Sequence, residues 1–328
     1  MKVAFFSSHN FERESILKAN SKHHEIVFIE ESLSDKSIKL AKGCQAICIF
    51  VNDKTDAVVL KKLSEIGIKN IALRSAGFNH VDIVEAKKLG FKLARVPEYS
   101  PFSVSEHAVS LMMALNRKLI QAHSRINQLN FSLDGLVGFD MHQKTVGIVG
   151  TGKIGRQTAR ILNGFECKIL AFDLKENEEL KLKYGVTYVD LNTLLTTSDI
   201  ISLHIPLVPK TKHIIDKKSI NLMKKGVMLI NTSRGGLINT VDVIEGIKSE
   251  KIGYFGMDVY ENEAGLFFEN HSQNILQDDV FARLMTFQNV LITSHQAFLT
   301  ETSLQNIAET TINNLNCFEN NVLSGNEL

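Results

Sequence analysis

Short, nearly continuous apolar runs rich in Val, Ile and Phe recur through the first hundred residues: KVAFFSS at the start, EIVFIE from Glu25, AICIFV from Ala46, NIALRSAG from Asn70 and FKLARVP from Phe91. A strand with one wet face alternates apolar and polar positions; a run without alternation is buried on both faces, and helical stretches between such runs predict a parallel sheet. After Pro101 the segment FSVSEHAVSLMMALNRKLIQAHSRI carries apolar residues at helical spacing with no glycine to interrupt them, which predicts one long helix. A second set of runs follows: KTVGIVG, KILAFD, DIISLHIP, GVMLINTSRG, YFGMDVY and NVLITSHQ. From Glu301 to Val322 the pattern predicts a last helix, amphipathic enough to pack back onto the first unit.

The expected fold is therefore α/β, with two Rossmann-like or flavodoxin-like parallel-sheet domains joined by long helices. Residues 1–100 with 299–328 form one domain and residues 101–298 the other. A length of 328 residues agrees, since single cores stop growing near ~250 residues. With 37 basic and 36 acidic residues mixed along the chain, the net charge of +1 leaves no electrostatic footprint for nucleic acid. Cys44 and Cys48 are four apart, but no second Cys or His pair follows at zinc spacing, so buried reduced thiols and no metal site are expected. The N-terminus lacks the features of a signal peptide, and no apolar run approaches the ~18 residues of a membrane span, so no membrane partner and a cytoplasmic location are expected.

The segment TVGIVGTGKIGRQTARIL places Gly150, Gly152 and Gly155 in G-x-G-x-x-G order between a strand and a helix. Such a turn presents free amide donors and the positive end of a helix dipole to a pyrophosphate. Gly150 permits the tight turn, Gly152 the close approach of phosphate, and Gly155 the packing of helix on strand. The next run ends in Asp173, at the distance where an acid binds the ribose hydroxyls and repels a 2′-phosphate, so NAD is expected rather than NADP.

Ligands of open α/β sheets sit beyond the carboxyl ends of the strands. Three residues there carry chemistry: Arg234 after GVMLINTS, Glu263 after YFGMDVYEN and His295 after NVLITS. Each alone has an ordinary structural reading, as a surface charge, a solvated loop acid and a strand cap. Together they suit a 2-oxo acid: a guanidinium fork for its carboxylate, an imidazole to protonate its oxygen as hydride arrives, and a carboxylate to orient that imidazole.

The blocks VGTGKIG, SLHIPL, MLINTSRGG, GMDVYENE and SHQAF, preceded by CIFVND, ALRSAGFNHVD, RVPEYSP and SEHAVSLMMALNR, resemble the D-isomer-specific 2-hydroxyacid dehydrogenases over nearly the whole chain. The resemblance implies that Arg234 binds the substrate, His295 is the acid/base and Glu263 its partner. It implies that Ala76 and Gly77 receive the carboxylate, and that Tyr99 and Phe298 wall the pocket. For the cofactor it implies Ile154 and Gly155 at the pyrophosphate, Asp173 at the ribose, Ile205 and Pro206 along the adenosine side, and Thr232, Ser233 and Asp258 near the nicotinamide. The activity implied is NADH-dependent reduction of pyruvate or a similar small 2-oxo acid to the D-2-hydroxy acid. A larger 2-oxo acid, or a dinucleotide-sensing corepressor-like binding protein, remains open as an alternative. Ser294 stands where a glycine would be expected before the histidine, which puts the rate in doubt. His107 reads as a buried, hydrogen-bonded structural residue. The apolar cluster Leu111, Met112, Met113 and Leu115 is expected to bury surface in a homo-oligomer, a dimer or tetramer.

Overall fold

The five apolar runs of the first hundred residues become the strands β1 (Lys2–Phe5), β2 (Glu25–Phe28), β3 (Ala46–Ile49), β4 (Asn70–Leu73) and β5 (Lys92–Ala94). Helices α1 (Asn10–Asn20), α2 (Ala57–Glu65) and α3 (Ile83–Lys88) lie between them. All pairings are parallel, in the order β2-β1-β3-β4-β5, the flavodoxin-like arrangement. The computed structural model describes every residue, Met1–Leu328. Its contacts divide the chain into Met1–Ser100 with Leu299–Leu328, and Pro101–Phe298.

The second unit begins with α4 (Pro101–Asn116) and α5 (Leu119–Asn127). It continues with β6 (Thr145–Val149), α6 (Lys153–Asn163), β7 (Lys168–Phe172), α7 (Glu178–Tyr184), β8 (Thr187–Tyr188), α8 (Leu191–Thr197) and β9 (Ile200–Leu203). Next come α9 (Lys217–Leu222), β10 (Val227–Asn231), α10 (Thr240–Lys248), β11 (Ile252–Met257), α11 (Asp279–Met285) and β12 (Val290–Ile292). The seven strands are ordered β12-β11-β10-β9-β6-β7-β8, all parallel. The chain reverses its direction of growth between β6 and β9, so the crevice at a doubly wound switch point opens there. The chain then returns to the first unit as α12 (Glu301–Glu319), whose Ala308, Ile312, Leu315 and Phe318 share a core with Val3 and Phe5 of β1 and Ala46 and Cys48 of β3.

Burial on both faces accounts for the unbroken apolar runs. Along β10, Leu229 joins one core cluster while Met228 and Ile230 join another, and all three are fully buried. Polar side chains punctuate the helices instead: Asp56 accepts from Val58 and Val59 at the start of α2, Asp190 from Thr193 at α8, and Asp278 from Phe281 at α11.

Two expectations need correction. The single long helix after Pro101 is two helices, α4 and α5, with Lys118 between them in the left-handed region at φ 49°. At the break Asn116, the last residue of α4, is buried and exchanges hydrogen bonds with the backbone of Phe139, donating at 2.7 Å and accepting at 2.8 Å. A side-chain amide standing in for a strand neighbour leaves no trace in apolar periodicity. The cluster expected at a homo-oligomer surface is interior: Leu111, Met112 and Leu115 are buried in the second unit's own core, and Met113 packs against it. Gly256 on β11 makes room for α4, since a Cβ there would meet Leu115 Cδ1 at 3.1 Å. Exposed apolar side chains gather further on, at Leu119, Ile120, Ile126, Leu129, Phe131, Leu133 and Val137.

The cysteines are unpaired, with Cys44, Cys48 and Cys167 buried; burial pushes the Cys48 thiol up to about 12. No helix is long and apolar enough to cross a membrane.

Candidate active site

The glycine turn after β6 has the shape its three glycines require. Gly150 adopts φ 96°, and a Cβ on it would lie 2.6 Å from Ile205 Cγ2 and 2.7 Å from the His204 carbonyl. Gly155 packs α6 onto the turn so closely that a Cβ would meet the Gly150 carbonyl oxygen at 1.9 Å. Gly152 has nothing within 4 Å of its Cβ direction, so space is left where the helix N-terminus begins. Backbone bonds from Gly150 to the Phe172 carbonyl (2.8 Å) and from His204 to the Val149 carbonyl (2.7 Å) fix the turn between its neighbouring strands.

Asp173 follows β7 and is half-buried. Its Oδ2 accepts from the Thr151 backbone (2.6 Å) and hydroxyl (3.0 Å), and Oδ1 accepts from Lys175 N at 3.2 Å. Burial alone would raise its pKa, but these donors outweigh it and hold the carboxyl below its ordinary value. Tyr188 donates to the Thr151 hydroxyl at 2.9 Å, extending the support to β8. The acid is thus charged, oriented and tied to the glycine turn. At the end of β10, Thr232 Oγ1 is buried with no hydrogen-bond partner in the chain, and at the end of β9 so is His204 Nδ1. Buried orphan polar atoms are rare and call for a ligand or water. An open N-terminal turn, a fixed acid and these orphans fit a dinucleotide.

Arg234, Glu263 and His295 lie beyond the carboxyl ends of three neighbouring strands, β10, β11 and β12. Asn231 shapes the Arg234 turn, accepting from Ser233 N at 3.1 Å and donating to the Arg234 carbonyl at 2.9 Å. Ser233 donates to the Ile205 carbonyl at 2.6 Å, which ties the turn to the segment of Ile205 and Pro206. Gly235 lets this turn press on the exit of β11: a Cβ would stand 2.0 Å from the carbonyl carbon of Tyr260 and 2.3 Å from Glu261 N.

Glu263 uses both oxygens. Oε1 faces His295 Nδ1 at 2.9 Å and Oε2 accepts from the Tyr260 backbone at 3.1 Å. Its neighbour Glu261 is engaged elsewhere, with His213 at 3.1 Å and the Thr240 backbone at 3.0 Å. The two acids therefore do different things, which their spacing could not reveal. The His295 ring also lies 5.8 Å from the Phe268 ring.

His295 is itself in the left-handed region, at φ 53°, a conformation that costs of the order of 1 kcal/mol and must be imposed by surroundings. Asp258 imposes it. Its carbonyl accepts from His295 N at 2.6 Å, Oδ1 accepts from the Thr293 hydroxyl (2.6 Å) and Gln296 N (2.8 Å), and Oδ2 accepts from Ala297 N (2.9 Å). Burial pushes the Asp258 carboxyl up, but His107, Thr293 and Ala297 as donors bring the net shift below its ordinary value. His107, half-buried on α4, reaches Thr293 Oγ1 at 2.9 Å, in keeping with its structural reading. Ser294 is exposed and needs no positive φ, so a glycine is not required there; the strained residue is the histidine.

In the first unit, the turn of Ala76 and Gly77 follows β4. Ser75 Oγ donates to the Gly77 carbonyl at 2.7 Å and Arg95 to the Ala76 carbonyl at 2.6 Å. Beneath it Arg74 is fully buried, bonded at 3.0 Å by two nitrogens to the two oxygens of Glu12 and also to the carbonyls of Phe6, Ser7 and Cys48. Sequence reasoning missed this pair, as it did Arg95 and the anchoring role of Asp258; ALRSAG holds the only signal, a charge ending an apolar strand. Tyr99 is half-buried, and its carbonyl accepts from Asn306 on α12. Phe298 is the last residue of the second unit.

A doubly wound sheet with a dinucleotide turn, and an Arg, Glu and His at the ends of its strands, describes a nicotinamide-dependent oxidoreductase of 2-hydroxy acids. Residues 109–297 match the model of the D-isomer specific 2-hydroxyacid dehydrogenase, NAD binding domain. The chain belongs to the D-isomer-specific 2-hydroxyacid dehydrogenase family. It is 49% identical over 329 residues to the D-lactate dehydrogenase of Escherichia coli (strain K12), covering 100% of both. Its structure is similar to that of the pyruvate reductase of Chlamydomonas reinhardtii, with a TM-score of 0.94, 44% identity and 99% and 98% of the two chains covered. It is also similar to D-lactate dehydrogenase with NAD+ from Lactobacillus jensenii, with a TM-score of 0.81, 33% identity and 100% and 99% covered. The resemblance read from the sequence blocks, the two parallel-sheet domains and NAD as cofactor are borne out.

Proposed function

We propose that this dehydrogenase reduces pyruvate to D-lactate, with His295 as acid/base, Glu263 as its partner and Arg234 as the substrate cation. The observation that carries the reading is the 2.9 Å contact of His295 Nδ1 with Glu263 Oε1 beyond the strand ends of the sheet that holds the glycine turn. NADH, when bound, supplies the hydride. Gly152, Ile154 and Gly155 would hold its pyrophosphate, Asp173 its ribose, Ile205 and Pro206 its adenosine side, and Thr232, Ser233 and Asp258 its nicotinamide end.

With Nδ1 bonded to Glu263, His295 presents Nε2 to the substrate. Its proton goes to the carbonyl oxygen as that oxygen gains charge, while the Glu263 carboxylate holds the ring in position. Arg234 binds the substrate carboxylate and polarises the carbonyl. The resemblance also assigns Ala76 and Gly77 to carboxylate binding and Tyr99 and Phe298 to the pocket wall.

The test is loss of NADH absorbance on adding pyruvate, with chiral analysis of the product. D-lactate as product, and Arg234→Lys raising KM for pyruvate and lowering kcat while NADH affinity holds, support the reading. No turnover of pyruvate alongside turnover of a bulkier 2-oxo acid refutes the substrate, and unchanged pyruvate kinetics in Arg234→Lys removes that residue from the site.

A further inference from the structure

Away from the strand ends, one cluster in the first unit gathers three metal-ligating side chains from two elements. His23 and His24 lie in the turn between α1 and β2, and Glu319 is the last residue of α12. His23 Nε2 is 2.7 Å from Glu319 Oε2, His24 Nδ1 is 3.9 Å from the same oxygen, and the ligand atoms of all three lie within 4.8 Å of one another. Bonds of about 2.0–2.1 Å in a tetrahedral zinc site put ligand atoms roughly 3.3 Å apart. The observed triangle brackets that spacing. The His23 side chain is 56% exposed, so its torsions are free to draw the ring inward.

Two of the three side chains already attract positive charge. The Met1 ammonium stands 2.7 Å from Glu319 Oε1 and 3.3 Å from His24 Nδ1, so Nδ1 presents a lone pair toward it. The His24 side chain is fully buried, so its ring is held in place by packing, and it is the neutral imidazole that metals bind. Its outer nitrogen, Nε2, is buried with no hydrogen-bond partner, and so is Oδ1 of Asn316, one helical turn before Glu319. Metal on Nδ1 would fix the proton on Nε2 and make that nitrogen a donor, as the outer nitrogen of a ligating histidine ordinarily is.

We propose that His23, His24 and Glu319 bind one borderline divalent cation, zinc(II) in the first instance, which clamps the α1–β2 turn to the end of α12. Two imidazole nitrogens and one carboxylate oxygen suit zinc and leave a fourth position for water. The clamp displaces the ammonium, joins two chain segments that lie about 300 residues apart in the sequence, and acts on the stability of the first unit; it takes no part in hydride transfer.

Calorimetric titration of the metal-free full-length enzyme with zinc chloride in a weakly coordinating buffer tests it, with cobalt(II) as a spectroscopic substitute. One equivalent of zinc should bind, the cobalt form should show the visible bands of a four-coordinate site, and the melting temperature should rise with zinc concentration. His23→Ala and Glu319→Gln should each weaken binding at least about tenfold and abolish the thermal shift. Circular dichroism verifies that the variants are folded, and His23→Gln replaces any that is not. Zinc bound undiminished in these variants, or no saturable equivalent in the wild type, overturns the proposal and leaves an ion-pair cluster only.

Discussion

Two adjacent glycines should respond in opposite ways to the same added methyl group. At Gly235 a Cβ would stand 2.0 Å from the Tyr260 carbonyl carbon and 2.3 Å from both Glu261 N and the Tyr260 oxygen, roughly 1.4 Å inside the 3.4 Å at which ordinary contact begins. All three atoms are backbone, so no side chain can rotate away. In Gly235→Ala the Arg234 turn and the Tyr260–Glu263 segment must separate by about 1 Å, and they carry Arg234, proposed above as the substrate cation, and Glu263, the hydrogen-bond partner of His295. Overpacking of this kind costs about 1–3 kcal/mol of stability, and a 1 Å misplacement near reacting groups costs about 100-fold in rate. At Gly236 the nearest atoms are Leu207 Cδ2 at 3.0 Å and Cδ1 at 3.4 Å, ends of a mobile side chain, and φ is not positive. Gly236→Ala should therefore keep its activity and gain up to about 0.4–1 kcal/mol through the less flexible unfolded chain. The assays are kcat/KM for pyruvate from NADH absorbance, and melting temperature. A Gly235→Ala enzyme within about threefold of wild type, or a Gly236→Ala enzyme as impaired as its neighbour, would refute the argument.

Replacing Asp173 with asparagine should narrow the preference for NADH over NADPH, because a neutral side chain no longer repels a 2′-phosphate; an unchanged ratio of the two kcat/KM values removes Asp173 from the ribose. Asp258→Asn should lose about 1–3 kcal/mol at pH 7, since its amide hydrogens would face donors. The folded-state pKa of Asp258 is lowered, so its contribution is present above the unfolded value of about 3.9 and fades as pH falls through the folded value. Denaturant curves of wild type and variant should converge in acid, and a constant gap would show that Asp258 is no anchor. If copies of the chain associate through the exposed apolar run from Leu119 to Val137, Phe131→Glu with Leu133→Glu should lower the mass seen by light scattering at equal concentration; an oligomer of unchanged mass rules that surface out.

Most of both sheets was legible because central strands such as β3, β9 and β10 are buried along their whole length and read as unbroken apolar runs, whereas β8, two partly exposed residues at the sheet edge, left no run to read. The glycine turn was legible for a related reason: Gly150, Gly152 and Gly155 each answer a separate steric demand, and that combination has few other uses. The break at Lys118 was not, because what marks it, the bond of the Asn116 amide to Phe139, reaches 23 residues along the chain. Nor did apolarity tell interior from interface at Leu111, Met112 and Leu115, since helical spacing says that a face is covered and not what covers it. His295 could be picked out from its place after a strand, but its left-handed backbone and its dependence on Asp258 belong to contacts spanning 37 residues of chain. The left-handed residue is His295, one position after Ser294, and the sequence gives no sign of it.

The interruption of the first unit by the second has a consequence for synthesis. Residues 101–298 form a continuous segment and can fold once they clear the ribosome, whereas the earlier hundred residues cannot finish at their turn. Ala308, Ile312, Leu315 and Phe318 of α12 cover Val3, Phe5, Ala46, Cys48, Ala72 and Ala94, and they are translated last. At about 5–20 residues per second, the interval between residue 100 and residue 319 is roughly ten to forty seconds. Through that time the nascent sheet carries a bare apolar face with parallel strands and open edges, a surface that invites chaperones or aggregation. Ribosome-bound chains truncated before Glu301 should stay protease-sensitive in the first hundred residues while the following segment is already resistant.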